Sequence, residues 1–368
     1  MHPGPQSLIS RLRAGDARAL ARVISTVENR RSEASDLLKA LFPYTGHARI
    51  IGLTGAPGAG KSTLVDQLAK HYRGTENPHS SRTERGLDGA ASGDLIRGHS
   101  GAAADNNYTV GIVAVDPTSP YTGGAILGDR IRMQDHYSDP GIFIRSMATR
   151  GSLGGLARAT ADVATVLDAS GRDLVLIETV GVGQDEVDIV RLADITIVIL
   201  VPGMGDDVQT IKAGIMEIAD IFVINKSDRE GAERVERELR AMQSLEMRKD
   251  GWTPPIVKTV ASEGTGTAEL AAAIASYEAY LSDNNLLFQK NKENWRERLV
   301  EMLRDAMLEQ ARGRIDAASL DRYAAEIAEH KRDPYSLVEE IVAGVARTPG
   351  ANSASPQADY VDPSLRSG

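Results

Sequence analysis

A glycine-rich stretch that ends in lysine and serine carries the clearest chemical signal in this 368-residue sequence. Residues 55–62 read G-A-P-G-A-G-K-S and match G-x-x-x-x-G-K-[ST], with an apolar strand-like run before them and an amphipathic pattern after them. Glycines let successive N–H groups converge on phosphates, and the following helix adds the positive end of its dipole. We therefore predict a nucleotide phosphate site in which Lys61 reaches the β- and γ-phosphates and Ser62 ligates Mg²⁺. The residues expected to line this loop are Gly55, Ala56, Pro57, Gly58, Ala59, Gly60, Lys61, Ser62 and Thr63.

Three acidic residues are candidates for binding the metal or lying near it. Glu178 closes an apolar run where a Walker B carboxylate would stand, so it can hold Mg²⁺ or its water shell. Asp116 and Asp129 are candidates for the metal's surroundings or for orienting water, although both also sit in common turn patterns. Gly181 could bring a backbone N–H to the γ-phosphate. Because Val182 rather than a glutamine follows it, we expect slow intrinsic turnover.

The tetrapeptide N-K-S-D at residues 225–228 indicates which base is bound. In N-K-x-D, the carboxylate of Asp228 accepts two N–H bonds from guanine, while the Asn225 amide and the Lys226 stem frame the base. Adenine has an amino donor but no neighbouring ring N–H, so it cannot satisfy the carboxylate in this way. We therefore expect GTP or GDP as the ligand, rather than ATP.

These motifs must be positioned by an alternation of strands and helices. This alternation predicts an α/β fold of the P-loop NTPase type, with a mainly parallel sheet flanked by helices. In such sheets ligands bind beyond the carboxyl ends of the strands, which is where each motif falls. The predicted strands are 50–54, 110–116, 142–145, the run that ends at Glu178, 195–201, 221–224 and 256–260.

Two segments around the phosphate loop have a different character. An N-terminal helical segment is expected at residues 1–45, with two helices that break at residues 30–32, ahead of a P-loop domain at 46–282. Residues 74–109 are rich in Gly, Ser, Ala and Asn and lack a hydrophobic period. That composition predicts a disordered insertion within the P-loop domain.

Beyond the predicted sheet the sequence becomes helical. Residues 286–312 have an apolar stripe at helical spacing, and two further helices are expected at 316–330 and 335–345. A long amphipathic helix without a sheet beside it needs a partner, so we predict a homodimer through residues 283–347. The alternative is that the stripe packs back on its own domain. The tail, residues 348–368, is expected to be disordered.

Composition excludes several classes of protein. A net charge of −9 and the lack of a basic block argue against nucleic-acid binding. With no cysteine and no metal-ligand spacing among the seven histidines, a bound metal must be hard and oxygen-ligated. No apolar run approaches the roughly 18 residues of a membrane helix. We expect a protein that does not enter membranes and resides in the cytoplasm.

From about residue 14 to residue 346 the sequence resembles the methylmalonyl-CoA mutase-associated GTPases, the MeaB/ArgK/MMAA-like proteins of the metallochaperone branch of P-loop GTPases. The motifs that carry this resemblance are G-A-P-G-A-G-K-S-T (55–63), V-D-P-T-S-P (115–120), T-G-G-A-I-L-G-D-R-I-R-M (122–133), E-T-V-G-V-G-Q-D-E (178–186), D-D-V-Q-T-I-K-A-G-I-M-E-I-A-D (206–220) and N-K-S-D (225–228).

The resemblance implies a GTPase that escorts an adenosylcobalamin-dependent methylmalonyl-CoA mutase or a related B12-dependent acyl-CoA mutase, gates cofactor delivery and protects the mutase. It also implies that Lys212, by itself an ordinary solvated helix lysine, belongs to a third switch that responds to the partner. V-A-S at Val260, Ala261 and Ser262 stands where a T-S-A-type guanine loop is expected. The nucleotide and Mg²⁺ positions implied by the resemblance are Lys61, Ser62, Asp116, Asp129 and Glu178.

Two other functions would require features that are absent from the motifs described above. A transport-associated kinase, the older label for such proteins, would need a positioned phosphate acceptor and a base, and the sequence identifies neither. Nickel delivery would need clusters of cysteine or histidine, which the sequence lacks.

Overall fold

The structure is a computed structural model of the full chain. It describes residues 5–74, 107–116, 136, 138–148, 155–179, 192–203, 218–245, 248, 250–313 and 315–346. Described residues up to Asn294 form one compact unit, and those from Trp295 onward form a second. The predicted disorder of the insertion and of the C-terminal tail falls mainly outside the described residues.

Seven parallel strands form a single sheet in the first unit, in the order β3-β2-β4-β1-β5-β6-β7. The strands are β1 Arg49–Gly55, β2 Val110–Asp116, β3 Ile142–Ala148, β4 Leu174–Glu178, β5 Ile195–Leu200, β6 Ile221–Asn225 and β7 Ile256–Thr259. Strands β4, β5 and β6 are buried along their whole length, which explains their nearly unbroken apolar sequences. The predicted parallel α/β fold is confirmed.

Helices cover both faces of this sheet. They are α1 Pro5–Arg13, α2 Ala17–Glu28, α3 Ala34–Leu41, α4 Lys61–Arg73, α5 Gly155–Ala169, α6 Ala232–Leu245 and α7 Thr267–Asp283. One core joins α4 and α7 to the sheet, and another joins α1, α2, α3 and α5 to it. Helix α6 packs on β5 and β6 in a third core. The N-terminal helices therefore share the core of the strand-bearing unit.

The prediction of two N-terminal helices is wrong, because the structure has three. The extra break falls at Gly15, whose φ is +84°, and at Asp16. The Asp16 carboxylate accepts N–H bonds from Arg18 and Ala19 at 2.9 and 3.1 Å and so caps α2. A glycine followed by a capping aspartate is a helix-boundary signal that the sequence analysis overlooked.

The three helices predicted near the C-terminus are confirmed. They are α8 Leu287–Arg312, α9 Ala317–Ala328 and α10 Pro334–Ala346, and the division between the two units falls within α8. Aspartates cap the two shorter helices: Asp316 accepts the Ser319 N–H at 2.7 Å and Asp333 accepts the Ser336 N–H at 2.8 Å. Across the described residues, no helix has the length and apolar character that crossing a membrane would require.

Candidate nucleotide site

The loop between β1 and α4 contains three glycines with positive φ. Gly55, Gly58 and Gly60 have φ values of +148°, +77° and +88°. A Cβ on Gly55 would overlap the Ile199 carbonyl oxygen of β5, and a Cβ on Gly60 would overlap the amide of Asn225. The loop therefore lies close to the carboxyl ends of β5 and β6, and its glycines provide the positive φ values that phosphate-binding loops use.

Lys61 begins α4 and places a positive charge inside this loop. Its side chain is only 6% exposed, and its Nζ donates to the carbonyl oxygens of Gly55 and Ala56 at 2.7 and 3.1 Å. The ammonium thus lies beside the loop backbone at the amino end of a 13-residue helix. Charge and helix dipole together favour an anion at this position.

A hydroxyl and a carboxylate meet next to the loop. The Ser62 Oγ donates to Oε1 of Glu178 at 2.5 Å, and Glu178 is buried at the end of β4. The parallel pairing of β1 and β4 brings them together, because it sets Glu178 opposite Leu53, two residues before the loop. Both side chains offer the hard oxygen ligands that Mg²⁺ prefers, so this pair of residues fits the ion.

The Asn225 side chain joins three parts of the site. Its Nδ2 donates to the Ala59 carbonyl at 2.8 Å, while its Oδ1 accepts from Thr259 Oγ1 at 3.0 Å and from the Ala261 N–H at 3.1 Å. The amide thus ties the phosphate loop to the end of β7 and to the turn that follows. Sequence reasoning missed Thr259, because a threonine at a strand end has no distinguishing signal.

The other residues of the base motif lie beside the loop. Lys226 has a φ of +55°, and its Nζ donates to the Gly58 carbonyl at 2.8 Å, so its stem crosses the loop. Asp228 is exposed, which leaves its carboxylate accessible to a base. The V-A-S sequence forms a short 3₁₀ turn at Ala261–Glu263, and the bond from Ala261 to Asn225 uses a backbone N–H. Replacing T-S-A by V-A-S is therefore compatible with this contact.

Other predicted site residues fall outside the described residues. These are Asp129, Gly181, Lys212 and the side chain of Asp116. The backbone of Asp116 ends β2, at the same edge of the sheet as Glu178. The site in the described residues comprises the loop at 55–63, Glu178, the N-K-S-D motif and the turn that begins at Val260.

One asparagine thus joins the loop at residues 55–63 to the N-K-S-D motif. Comparison with known families shows which kind of protein carries this arrangement. A family model described as methylmalonyl-CoA mutase-associated GTPase MeaB matches residues 20–77 and 85–316. The chain belongs to the MeaB family. The resemblance seen in the motifs is thereby confirmed. Residues 78–84, between the matched ranges, lie within the predicted insertion.

Individual relatives agree with this MeaB-family assignment. A Pyrococcus abyssi protein, whose name provisionally calls it a GTPase, is 45% identical over 344 residues, or 92% of this chain and 97% of its own length. The Escherichia coli GTPase ArgK is 34% identical over 86% of this chain and 87% of its own length. A Caenorhabditis elegans protein named methylmalonic aciduria type A homolog, mitochondrial, is 28% identical over 83% of this chain and 74% of its own length.

A solved structure supports the fold of this MeaB-family member. The crystal structure of an LAO/AO transport system kinase superposes with a TM-score of 0.64, covering 94% of this chain and 99% of that one. At 24% sequence identity the match bears on the fold alone.

Proposed function

We propose that this MeaB-family member binds and hydrolyses GTP as a chaperone of an adenosylcobalamin-dependent methylmalonyl-CoA mutase or a related B12-dependent acyl-CoA mutase. The observation that carries the nucleotide part is the Asn225 to Ala59 bond, because it joins the loop for phosphate and the motif for guanine into one pocket. The mutase part is supported by the family description and by the name of the C. elegans relative. In this role the protein gates cofactor loading and protects the mutase.

The side chains would divide the work between phosphate, metal and base. The loop N–H groups and Lys61 bind the β- and γ-phosphates, Ser62 and Glu178 hold Mg²⁺, and Asp228 accepts the two guanine N–H bonds. The bound ion would neutralise charge that develops on the phosphates. Val260, Ala261 and Ser262 border the base. Asp116, Asp129 and Gly181 complete the proposed surroundings of the metal and the γ-phosphate.

We propose that the isolated chain hydrolyses GTP slowly and that the mutase accelerates the reaction. Val182 stands where a water-orienting glutamine would follow Gly181, so the isolated chain lacks an assigned residue for the attacking water. We propose that Lys212 supplies a positive charge to the phosphates when the mutase binds. GTP-bound and GDP-bound forms would then differ in their affinity for the mutase.

The test is to incubate the chain with γ-labelled GTP, with and without a mutase. We expect slow release of inorganic phosphate from the isolated chain and faster release with the mutase, and we expect the acceleration to be lost in Lys212→Ala. Transfer of label to a protein or small-molecule acceptor would instead favour the alternative, a transport-associated P-loop kinase.

We also propose that the chain is a homodimer through α8, α9 and α10. Large apolar side chains on these helices are exposed, and clustered exposed apolar residues often mark protein–protein interfaces. They include Leu299, Val300, Leu303, Met307, Leu308, Leu320, Val338 and Val342. The proposed organisation has four parts: an N-terminal segment at residues 1–45, the P-loop domain at 46–282, the dimerisation region at 283–347 and a tail at 348–368.

Analytical ultracentrifugation tests the dimer. Leu299→Glu combined with Leu303→Glu should yield a monomer, because two charges would be buried without partners. Leu245→Glu is the matched control, since Leu245 is 87% exposed on α6. A monomeric wild type, or a dimeric double variant, would contradict the proposal. We further propose a cytoplasmic location, which cell fractionation tests.

A further inference from the structure

One buried polar contact lies close to the nucleotide site but binds neither phosphate nor base in the proposed arrangement. The His136 side chain is 4% exposed, and its Nε2 lies 2.6 Å from Oδ1 of Asp66 on α4. The other carboxylate oxygen of Asp66 is 2.8 Å from Nζ of Lys70. Burial alone would raise the pKa of Asp66, but the bonds from His136 and Lys70 outweigh it and lower that pKa.

The contact lies one helical turn from the proposed metal ligand. Asp66 follows Ser62 by four residues, so the two share a face of α4 and are about 6 Å apart along its axis. That face is tied to other elements at three levels. Ser62 binds Glu178, Asp66 binds His136, and Arg73 binds Asp139 through two bonds of 2.8 Å.

The third tie, between Arg73 and Asp139, lies at the end of α4 away from the loop. A Cβ on Gly141 would overlap the Arg73 guanidinium, so Arg73 packs directly against the turn that precedes β3. Arg73 is 11 residues from Ser62, or about 16 Å along the helix. A sideways tilt of about 3° around Arg73 would move Ser62 by about 0.9 Å.

Apolar packing presses α4 onto the sheet, since Leu64, Val65 and Leu68 are fully buried. Such packing is non-directional, whereas a short bond between two buried polar groups fixes a lateral position. Displacements near 1 Å are large enough to slow an enzymatic reaction by about 10²-fold. The contact between Asp66 and His136 therefore lies where it can control the alignment of Ser62 with Glu178.

We propose that His136 is a positioning residue for GTP hydrolysis: by binding Asp66 it fixes the second turn of α4 and keeps Ser62 aligned with Glu178 for the metal. This role rests on the proposed hydrolytic function. In this role His136 makes no contact with the nucleotide. The N-K-S-D motif lies outside α4, so we expect His136 to affect the rate of hydrolysis and the metal requirement more than nucleotide affinity.

The experiment compares His136→Ala, His136→Gln and wild type in steady-state GTP hydrolysis, Mg²⁺ titration and GDP binding. We expect His136→Ala to lower kcat about tenfold and to raise the Mg²⁺ concentration for half-maximal rate, with KM and GDP affinity within about twofold of wild type. In His136→Gln the side-chain amide can donate to Asp66, so most of the rate should return. His71→Ala is the matched control, because His71 lies on the same helix and contacts the Tyr72 ring.

Several outcomes would overturn the assignment. One is a wild-type kcat in His136→Ala, and a second is a loss of GDP affinity that matches the loss of rate, as a merely structural role predicts. A third is a His136→Gln variant as slow as His136→Ala. If His136→Ala does not fold, Asp66→Ala removes the same contact from the helix side and should show the same tenfold loss. A wild-type chain that releases no phosphate from GTP would overturn the proposed function as well, whereas an active wild type with an unaffected His136→Ala would overturn only this inference.

Discussion

The two edges of the central sheet both carry charged side chains, but they are organised in opposite ways. At the carboxyl edge, glycines shape a backbone loop around Lys61, beside the polar ends of β4 and β6. At the amino edge, aspartates accept N–H bonds from the backbone of neighbouring segments. Asp173, Asp194 and Asp220 directly precede strands, and Asp168 lies in the last turn of α5. The bonds run from Gly46, His47 and Ala48 to Asp168, from Thr109 to Asp173, from Ile50 to Asp194, and from Thr196 to Asp220.

Basic side chains at the amino edge likewise bind to other side chains of this protein. Lys290 of α8 donates to Asp220 at 2.7 Å and to the Tyr277 hydroxyl at 2.9 Å. Arg49 pairs with Glu278 of α7. Buried charge alone therefore does not indicate a ligand site. What distinguishes the carboxyl edge is a glycine-shaped loop, and the following predictions test that distinction.

The largest effect is expected from Lys61→Ala at the carboxyl edge. Removing the ammonium should lower the rate of GTP hydrolysis by about 10²–10³-fold, because a charge aimed at the phosphates is lost. Lys258→Ala, which removes a lysine paired with Glu233 and Glu236 on the protein surface, is the control. Single-turnover phosphate release measures both variants. Equal rates in the two would show that Lys61 does not act on the phosphates.

A comparison of two glycines should give the next largest effect. Gly60 and Gly171 have similar φ values, +88° and +81°, so alanine strains both backbones alike. Only at Gly60 would the new Cβ meet another group, the Asn225 amide. We expect Gly60→Ala to abolish measurable GDP binding and Gly171→Ala to retain it, as read by fluorescent-nucleotide titration. Comparable GDP affinities in both variants would contradict the proposal that nucleotide binding depends on the contact between the loop and the N-K-S-D motif.

At the amino edge the expected effect is on stability alone. Asp168→Ala leaves three backbone N–H groups without their carboxylate, so the free energy of unfolding should fall by about 3 kcal/mol. GDP affinity of the folded protein should stay within about twofold of wild type. Asp36→Ala, at an exposed surface pair, is the control for urea unfolding. A tenfold loss of GDP affinity would mean that the two edges are not independent.

Glu278 should make the stability of the amino edge depend on pH. Burial outweighs the attraction of Arg49, and Asp194 adds repulsion, so the pKa of Glu278 rises to about 7 from 4.5. Because folding favours the protonated acid, this contribution is present at low pH and is lost as pH rises from about 4.5 to about 7. Burial likewise raises the pKa of Asp194 to about 6, so Asp194 contributes a pH dependence of stability with the same sign.

The measurement is the thermal midpoint from pH 5 to pH 8 at constant ionic strength. The wild-type midpoint should fall across this range, and Glu278→Gln, which cannot ionise, should fall less steeply. Glu269→Gln on the exposed side of α7 is the control. Parallel pH profiles for wild type and Glu278→Gln would contradict the assigned cause.

The smallest effect is expected from excising residues 75–106. The flanks are held together, because the Tyr108 N–H binds the Tyr72 carbonyl at 3.0 Å and Arg73 binds Asn107 at 2.6 Å. They lie at the start of β2, at the amino edge. A short Gly-Ser linker between Gly74 and Asn107 should change GDP affinity by no more than about twofold. A much weaker GDP complex would connect the segment to the nucleotide site.

The sequence predicted the carboxyl edge far better than the amino edge, for a physical reason. The phosphate loop has fixed local spacing, and buried parallel strands are recognisable as apolar runs, so the strands and their terminal motifs could be placed. The amino-edge bonds join residues far apart, such as Asp194 and Ile50, which lie 144 positions apart. No local pattern encodes such pairs. The same holds for Asp66 with His136 and for Thr259 with Asn225, which only the folded chain brings together.

Isothermal titration calorimetry of the purified chain in the presence of Mg²⁺ tests the guanine-nucleotide site most directly. With GDP or a non-hydrolysable GTP analogue, we expect saturable heat at one site per chain, lost in Gly60→Ala and much weaker with ATP analogues. Absence of heat with both guanine nucleotides, or tighter binding of adenine nucleotides, would contradict the central claim that this edge of the sheet is a guanine-nucleotide site.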